Sequence, residues 1–123
     1  MVLLDIKHMD PEAHRRETGM DNRVILENAR RMAKLSVVRI SVPLIPGFND
    51  SELNLRRTAE FGAEIGAQAI DINPMHSMGS EKYRALGQPV PYERFGSVDM
   101  TKAARLAKLA RRPGIDVTIG RMV

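Results

Sequence analysis

Three short apolar runs in this chain carry polar side chains two residues apart, and that spacing limits the folds open to it. They are VLLDIK with Asp5 and Lys7, VVRISVPLI with Arg39 and Ser41, and AIDINP with Asp71 and Asn73. Successive side chains of a strand point to opposite faces. Leu3, Asp5 and Lys7 therefore share one face and Val2, Leu4 and Ile6 the other. A surface strand is polar along a whole face. A strand of a parallel α/β sheet is apolar nearly throughout and keeps its polar groups for the carboxyl end, where such folds bind ligands. Buried charges need partners, so the three polar pairs are expected to converge at one end of a sheet. His76 follows on the loop just beyond.

Between these runs the pattern is helical. Asp10 as N-cap, Pro11 in the first turn and Gly19 as a stop predict a helix from Pro11 to Thr18. A second is expected from about Asn22 to Leu35, capped by Asp21, with Ile25, Ala29 and Met32 facing inward. The first strand is read as Val2 to Lys7 and the second as Val37 to Ile45. The turn PGFND at Pro46 to Asp50 ends that second strand and caps a helix from Ser51 to Ile65. After the strand Ala69 to Pro74 come a loop MHSMG, a short helix Ser80 to Leu86 and coil from Gln88 to Val98. Asp99 then caps a helix to Arg112, and a last strand runs from Ile115 to Ile119.

This order implies an α/β chain of about four parallel strands joined by right-handed helical crossovers. A complete (β/α) barrel takes about eight strands and about 250 residues. At 123 residues the chain is a small open sheet or part of something larger.

Composition removes several chemistries. There is no cysteine, which excludes disulfides, thiolate zinc sites and thiolate ligation of an iron–sulfur cluster by these residues. No apolar run approaches the roughly 20 residues of a membrane span, so the expected address is the cytoplasm. The net charge of +4 raises a nucleic-acid reading. Glu12, Glu27 and Glu52, however, each precede an arginine by one helical turn, the pattern of solvated ion pairs. Only the last helix, with Lys102, Arg105, Lys108 and Arg112, forms a basic stripe without acids, and aromatic platforms for bases are scarce.

Taken alone, Asp5 and Lys7 read equally as a salt bridge at a strand end or as functional groups, with Lys7 a candidate Schiff-base lysine. His8 and His14 have no metal-ligand spacing and are expected to be surface groups.

Four motifs in order, LLDIKHMDPEAHRRETG, PLIPGFND, INPMHSMG and KYRALG, together resemble the carboxyl-terminal half of glycyl-radical-enzyme activating enzymes, typified by pyruvate formate-lyase activating enzyme. The resemblance implies a partial (β/α) barrel of the radical S-adenosylmethionine superfamily. In that family a reduced 4Fe-4S cluster cleaves S-adenosylmethionine, and the resulting 5′-deoxyadenosyl radical abstracts hydrogen from a glycine of a partner enzyme. It further implies that Asp5 helps form a monovalent-cation site near the S-adenosylmethionine and that Lys7 faces the substrate side. Pro74, Met75 and His76 would flank the adenosine, and the stretch His8 to Gly19 would receive the partner's glycine-bearing loop.

Where the family has an arginine two residues before the PLIPG-like turn, this chain has Ser41, with Arg39 one pleat earlier. Both are taken as candidate cofactor-binding residues. The family's cysteine loop and glycine-rich motif are absent from the sequence. The expectation is a carboxyl-terminal half, split from its amino-terminal half by truncation, frameshift or gene division, and silent alone with no catalytic residue of its own. Its partner would be a glycyl-radical enzyme, for instance of the pyruvate formate-lyase type. Two alternatives are a non-catalytic module that binds a protein or nucleic acid through the last helix, and a cofactor-free Schiff-base lysine enzyme.

Overall fold

The computed structural model describes residues 1–74 and 100–120. The loop MHSMG, with Met75 and His76, the helix expected at 80–86, the coil at 88–98 and the cap at Asp99 lie outside the described residues.

The elements are β1 (Val2–Asp5), α1 (Pro11–Thr18), α2 (Arg23–Leu35), β2 (Val38–Leu44), α3 (Glu52–Ile65), β3 (Ala69–Pro74), α4 (Met100–Leu109) and β4 (Asp116–Ile119). The strands form one sheet in the order β1-β2-β3-β4, every pair parallel. This is the α/β architecture expected from the alternation of strand and helix.

Side-chain parity decides what the sheet does. Val38, Ile40, Val42, Leu44, Ile70 and Ile72 point to one face and are buried against Ala29, Leu55, Ala59, Phe61, Ala103 and Leu106 of α2, α3 and α4. Each fully buried isoleucine or leucine there contributes about 1.5–3 kcal/mol. The opposite face carries Leu3, Arg39, Ala69 and Asp116 in one row, with Asp5, Ser41, Asp71 and Thr118 in the next.

The ends of the elements differ from expectation for local reasons. β1 stops at Asp5, although the Ile6 N–H still donates to the Ser41 carbonyl at 2.9 Å. α4 ends at Leu109, because Arg112 turns back to bridge with Ile115. The cap of α3 is Ser51, just after the PGFND turn, which accepts from the Asn54 N–H at 3.1 Å. Asp21 does accept from the Arg23 N–H at 3.0 Å at the start of α2. Ile25, expected inward, is exposed, and Leu26, Met32 and Ala33 pack beside Ala29 instead. Gly19 closes α1 with φ 86°, a left-handed conformation that glycine adopts without a Cβ clash.

The histidines also depart from expectation. His14 is buried, its Nδ1 against the Met20 carbonyl and the Thr18 hydroxyl. His8 accepts from the Asp10 N–H at 2.9 Å and lies 5.1 Å from the Phe48 ring; burial lowers its pKa. Among the ion pairs of the described residues, none joins Glu12, Glu27 or Glu52 to the arginine one turn on. Arg15 meets Asp21 and Arg30 meets Glu64.

Candidate functional site

The candidate residues meet on the face of the sheet opposite α2, α3 and α4. Arg39 on β2 forms two hydrogen bonds to Asp71 on β3, Nε to Oδ2 at 3.0 Å and Nη2 to Oδ1 at 2.7 Å. Thr118 on β4 donates to the same Oδ1 at 2.6 Å. Burial works against the Asp71 carboxylate, yet the Arg39 and Thr118 hydrogen bonds and the Arg39 charge hold its pKa below the ordinary range. The hydrogen bonds that Arg39 makes to Asp71, with the charge of Asp71, raise the pKa of Arg39. One row nearer the carboxyl rim, Asn73 Nδ2 donates to Ser41 Oγ at 2.8 Å.

On β1 the contact is local. Lys7 Nζ lies 2.8 Å from Asp5 Oδ2, with the side chains 34% and 53% exposed, so this pair is worth little in stability. The three polar pairs therefore share a face and do not gather into one cluster. Arg39 meets Asp71, Ser41 meets Asn73, and Asp5 and Lys7 meet each other. Pro74 has the opposite parity from Asn73 and is buried on the helix-covered side. Among the described residues no group of three or more histidine or acidic side chains stands together as a metal site.

Three asparagines hold the rim, Asn49 within the PGFND turn and Asn22 and Asn54 outside the quoted motifs. Asn49, fully buried, donates to the carbonyls of Lys7 at 2.8 Å and Pro43 at 2.7 Å, and its Oδ1 accepts from the Ile45 N–H at 2.7 Å. Asn54 accepts from the Met9 N–H at 2.9 Å, and Asn22 donates to the His8 and Met9 carbonyls at 3.0 and 2.8 Å. Together they fix the stretch from Lys7 to Met9, immediately beyond β1. Sequence reasoning also misses Thr118, although its place in β4 opposite Asp71 is a usable signal; Gly120, just past β4, has none.

The basic stripe of the last helix is partly consumed. Lys102 binds Asp50 of the PGFND turn at 2.6 Å, and Arg112 folds onto the carbonyls of Leu109 and Arg111.

No family model matches the chain. Among curated proteins it is similar to the isethionate sulfite-lyase activating enzyme of Desulfovibrio desulfuricans, 40% identical over 106 residues that cover 83% of this chain and 33% of the relative. It is 34% identical over 122 residues to the 4-hydroxyphenylacetate decarboxylase activating enzyme of Clostridioides difficile, covering 97% of this chain and 39% of that one. With the (2S)-3-sulfopropanediol dehydratase activating enzyme of Klebsiella oxytoca it shares 37% identity over 93 residues, 72% of this chain and 29% of the relative. Among solved structures, a domain of pyruvate-formate lyase-activating enzyme from Bacteroides vulgatus superimposes with a TM-score of 0.77 at 26% identity. That match covers 98% of this chain and 67% of the other. The chain thus spans about a third of the length of these curated relatives.

Proposed function

This chain belongs to the glycyl-radical-enzyme activating enzymes of the radical S-adenosylmethionine superfamily, and on that premise we propose that it forms the carboxyl-terminal part of such an enzyme's partial barrel. The observation that carries this reading is the two-sided sheet. In a (β/α) barrel the helices lie outside and ligands are held at the carboxyl ends of the strands. In this chain α2, α3 and α4 occupy one face and the polar rows occupy the other.

The residues of the polar face suit S-adenosylmethionine in part. Asp5 offers an exposed carboxylate to its ammonium or to a monovalent cation, and Lys7 an ammonium to an anionic group. Ser41 and Asn73 offer neutral hydrogen bonds. Arg39 is committed to Asp71 and is the least available of the candidates. When bound beside a reduced cluster, S-adenosylmethionine supplies hydrogen abstraction from a glycine of the partner enzyme. The sequence has no cysteine, so these residues do not fit an iron–sulfur cluster, whose thiolates would come from chain outside them. In this reading the 123 residues bind and orient, act in the cytoplasm on a glycyl-radical enzyme, and are inactive alone.

Neither rival has a favouring observation. Lys7 is a third exposed and paired with Asp5, without the desolvated surroundings a Schiff-base lysine needs. Two of the four cations of the basic stripe are already engaged.

The test joins this chain to the cysteine-bearing part of the Desulfovibrio relative and incubates it anaerobically with reductant, S-adenosylmethionine and that relative's glycyl-radical enzyme. A glycyl-radical signal in electron paramagnetic resonance is expected from the joined protein and none from this chain alone. A joined protein that shows cluster absorption and forms no radical would overturn the reading.

A further inference from the structure

The segment that carries the chain from β1 into α1 is held by side chains along its length. The carbonyl of Lys7 accepts from Asn49, those of His8 and Met9 accept from Asn22, and the Met9 N–H donates to Asn54. These partners are amides, whose charge does not change with pH. The Asp10 N–H is held differently. It donates to Nδ1 of His8 at 2.9 Å, and a backbone N–H can only donate, so that Nδ1 carries no proton.

The rest of the surroundings fix the same neutral form. The ring also hydrogen-bonds the Phe48 backbone, and because that bond favours the protonated ring it runs from a ring N–H to the carbonyl. With Nδ1 engaged as an acceptor, the donor is Nε2. The charged groups about His8 are Asp10 in its own turn, His14 and Arg16 on α1, and Arg57 on α3, with which it lines a small cavity. Asp50 of the PGFND turn is held by the Gly47 N–H and Lys102. Burial, the largest influence, keeps the ring's pKa below the ordinary histidine value, and His14 and Arg16 act the same way; Asp10 and the Phe48 bond act against them. A second proton can enter only at Nδ1. It would turn that nitrogen into a donor facing the Asp10 N–H. The anion beside it is the Asp10 carboxylate, which caps α1 by accepting from the Ala13 N–H at 3.3 Å. One proton therefore breaks the turn bond and competes for the helix cap.

We infer that neutral His8 is a positioning residue, its Nδ1 pinning Asp10 and with it the segment from Lys7 to α1, and that protonation of the ring releases this segment. The segment stands just past the carboxyl end of β1. Its bearing on radical formation rests on the reading above, in which that end of the sheet serves the reaction.

The experiment follows the Asp10 amide and the His8 ring nitrogens by NMR between about pH 5 and about pH 8, in the isotope-labelled chain and in its His8→Asn and His8→Ala variants. Asparagine offers its Oδ1 to the N–H two residues on and does not titrate. Both variants lose the Phe48 contact and keep His14 and Asp10, so their difference isolates the pin. At the alkaline end the parent is expected to carry its ring proton on Nε2. On acidification its Asp10 amide should move together with the His8 ring, at a midpoint below that of an ordinary histidine, and should stay still in His8→Asn. The Asp10 N–H should exchange with solvent about three- to tenfold faster in His8→Ala than in His8→Asn, the scale of one hydrogen bond. A neutral ring protonated on Nδ1, an Asp10 amide that stays still while His8 titrates, or a His8→Asn amide that moves as the parent's does overturns the inference. In the joined protein, radical formation by the parent should fall about three- to tenfold further than that of His8→Asn from about pH 7.5 to about pH 5.5. Equal losses defeat the positioning role. A joined protein that forms no radical at any pH defeats the activating-enzyme reading alone, and the amide titration then decides the pin.

Discussion

The polar face has two regions that handle charge differently. On β2, β3 and β4 the contacts cross strands. Arg39 and Thr118 reach Asp71 from either side, and Asn73 reaches Ser41. On β1 the side chains of Asp5 and Lys7 pair with each other, two residues apart on one exposed strand. The interior strands β2 and β3 carry the groups that these contacts centre on, and Thr118 of the edge strand β4 reaches inward to them, whereas β1, which has one neighbour among the described residues, pairs its charges within itself. Cross-strand contacts therefore hold the sheet together, and the pair on β1 is left available to a ligand.

Asn49 joins the two regions, and its removal should have the largest effect. Asn49→Ala would leave the Ile45 N–H and the carbonyls of Lys7 and Pro43 without their partner. An unmet buried polar group costs about 1–3 kcal/mol, so a loss of at least about 3 kcal/mol is expected in urea unfolding. A loss below about 1 kcal/mol would show that water replaces the amide and that the rim is not held by it.

Asp71→Ala should come next. It strips Arg39 and Thr118 of their common acceptor, in surroundings between the buried and the exposed limits, for a cost of about 2 kcal/mol. The pH dependence follows from the lowered pKa of Asp71. A carboxylate depressed in the folded state contributes its stability above the unfolded carboxylate range, and that contribution is lost as pH falls through the folded pKa. The stability of the parent should therefore fall in acid more steeply than that of Asp71→Asn. Parallel acid limbs would mean that the bidentate contact does not persist in solution.

Asp5→Asn belongs at the other end of the scale. It breaks an exposed pair and should change stability by less than about 1 kcal/mol, while lowering radical formation by the joined protein. A stability loss matching that of Asp71→Ala would erase the distinction between the two regions.

The fold is readable where a local rule has no competitor. Asp10, Pro11 and Gly19 bound α1 as expected, and the parity of Ala69 to Pro74 places Asp71 and Asn73 on one face. Which partners these residues take depends on register between strands, which no local pattern encodes. Arg39 cannot be assigned to Asp71, nor Ser41 to Asn73, before the strands are aligned. His14 looks like a surface residue because its burial comes from the turn through Met20, outside its own helix. Asn49 reads as a turn residue within PGFND, and only the return of the chain past Lys7 shows it to be a staple between strands.

The smallest effect on stability is expected at the open edge of β1. The Val2 and Ile6 N–H groups donate toward β2, so by alternation the backbone groups of Leu3 and Asp5 point away from the sheet, beside a Leu3 side chain 61% exposed. Unpaired strand edges of this kind promote association, and a lysine placed on the edge opposes it. Leu3→Lys should change unfolding free energy by no more than about 0.5 kcal/mol, as surface substitutions generally do, yet shift sedimentation of the isolated chain from self-associated species toward monomer. In the joined protein, where the proposed barrel supplies β1 with a neighbour, the same substitution should leave the sedimentation profile unaltered. Association that persists in both forms would place the sticky surface elsewhere, with Leu35 and Val37, 82% and 51% exposed, the next residues to replace.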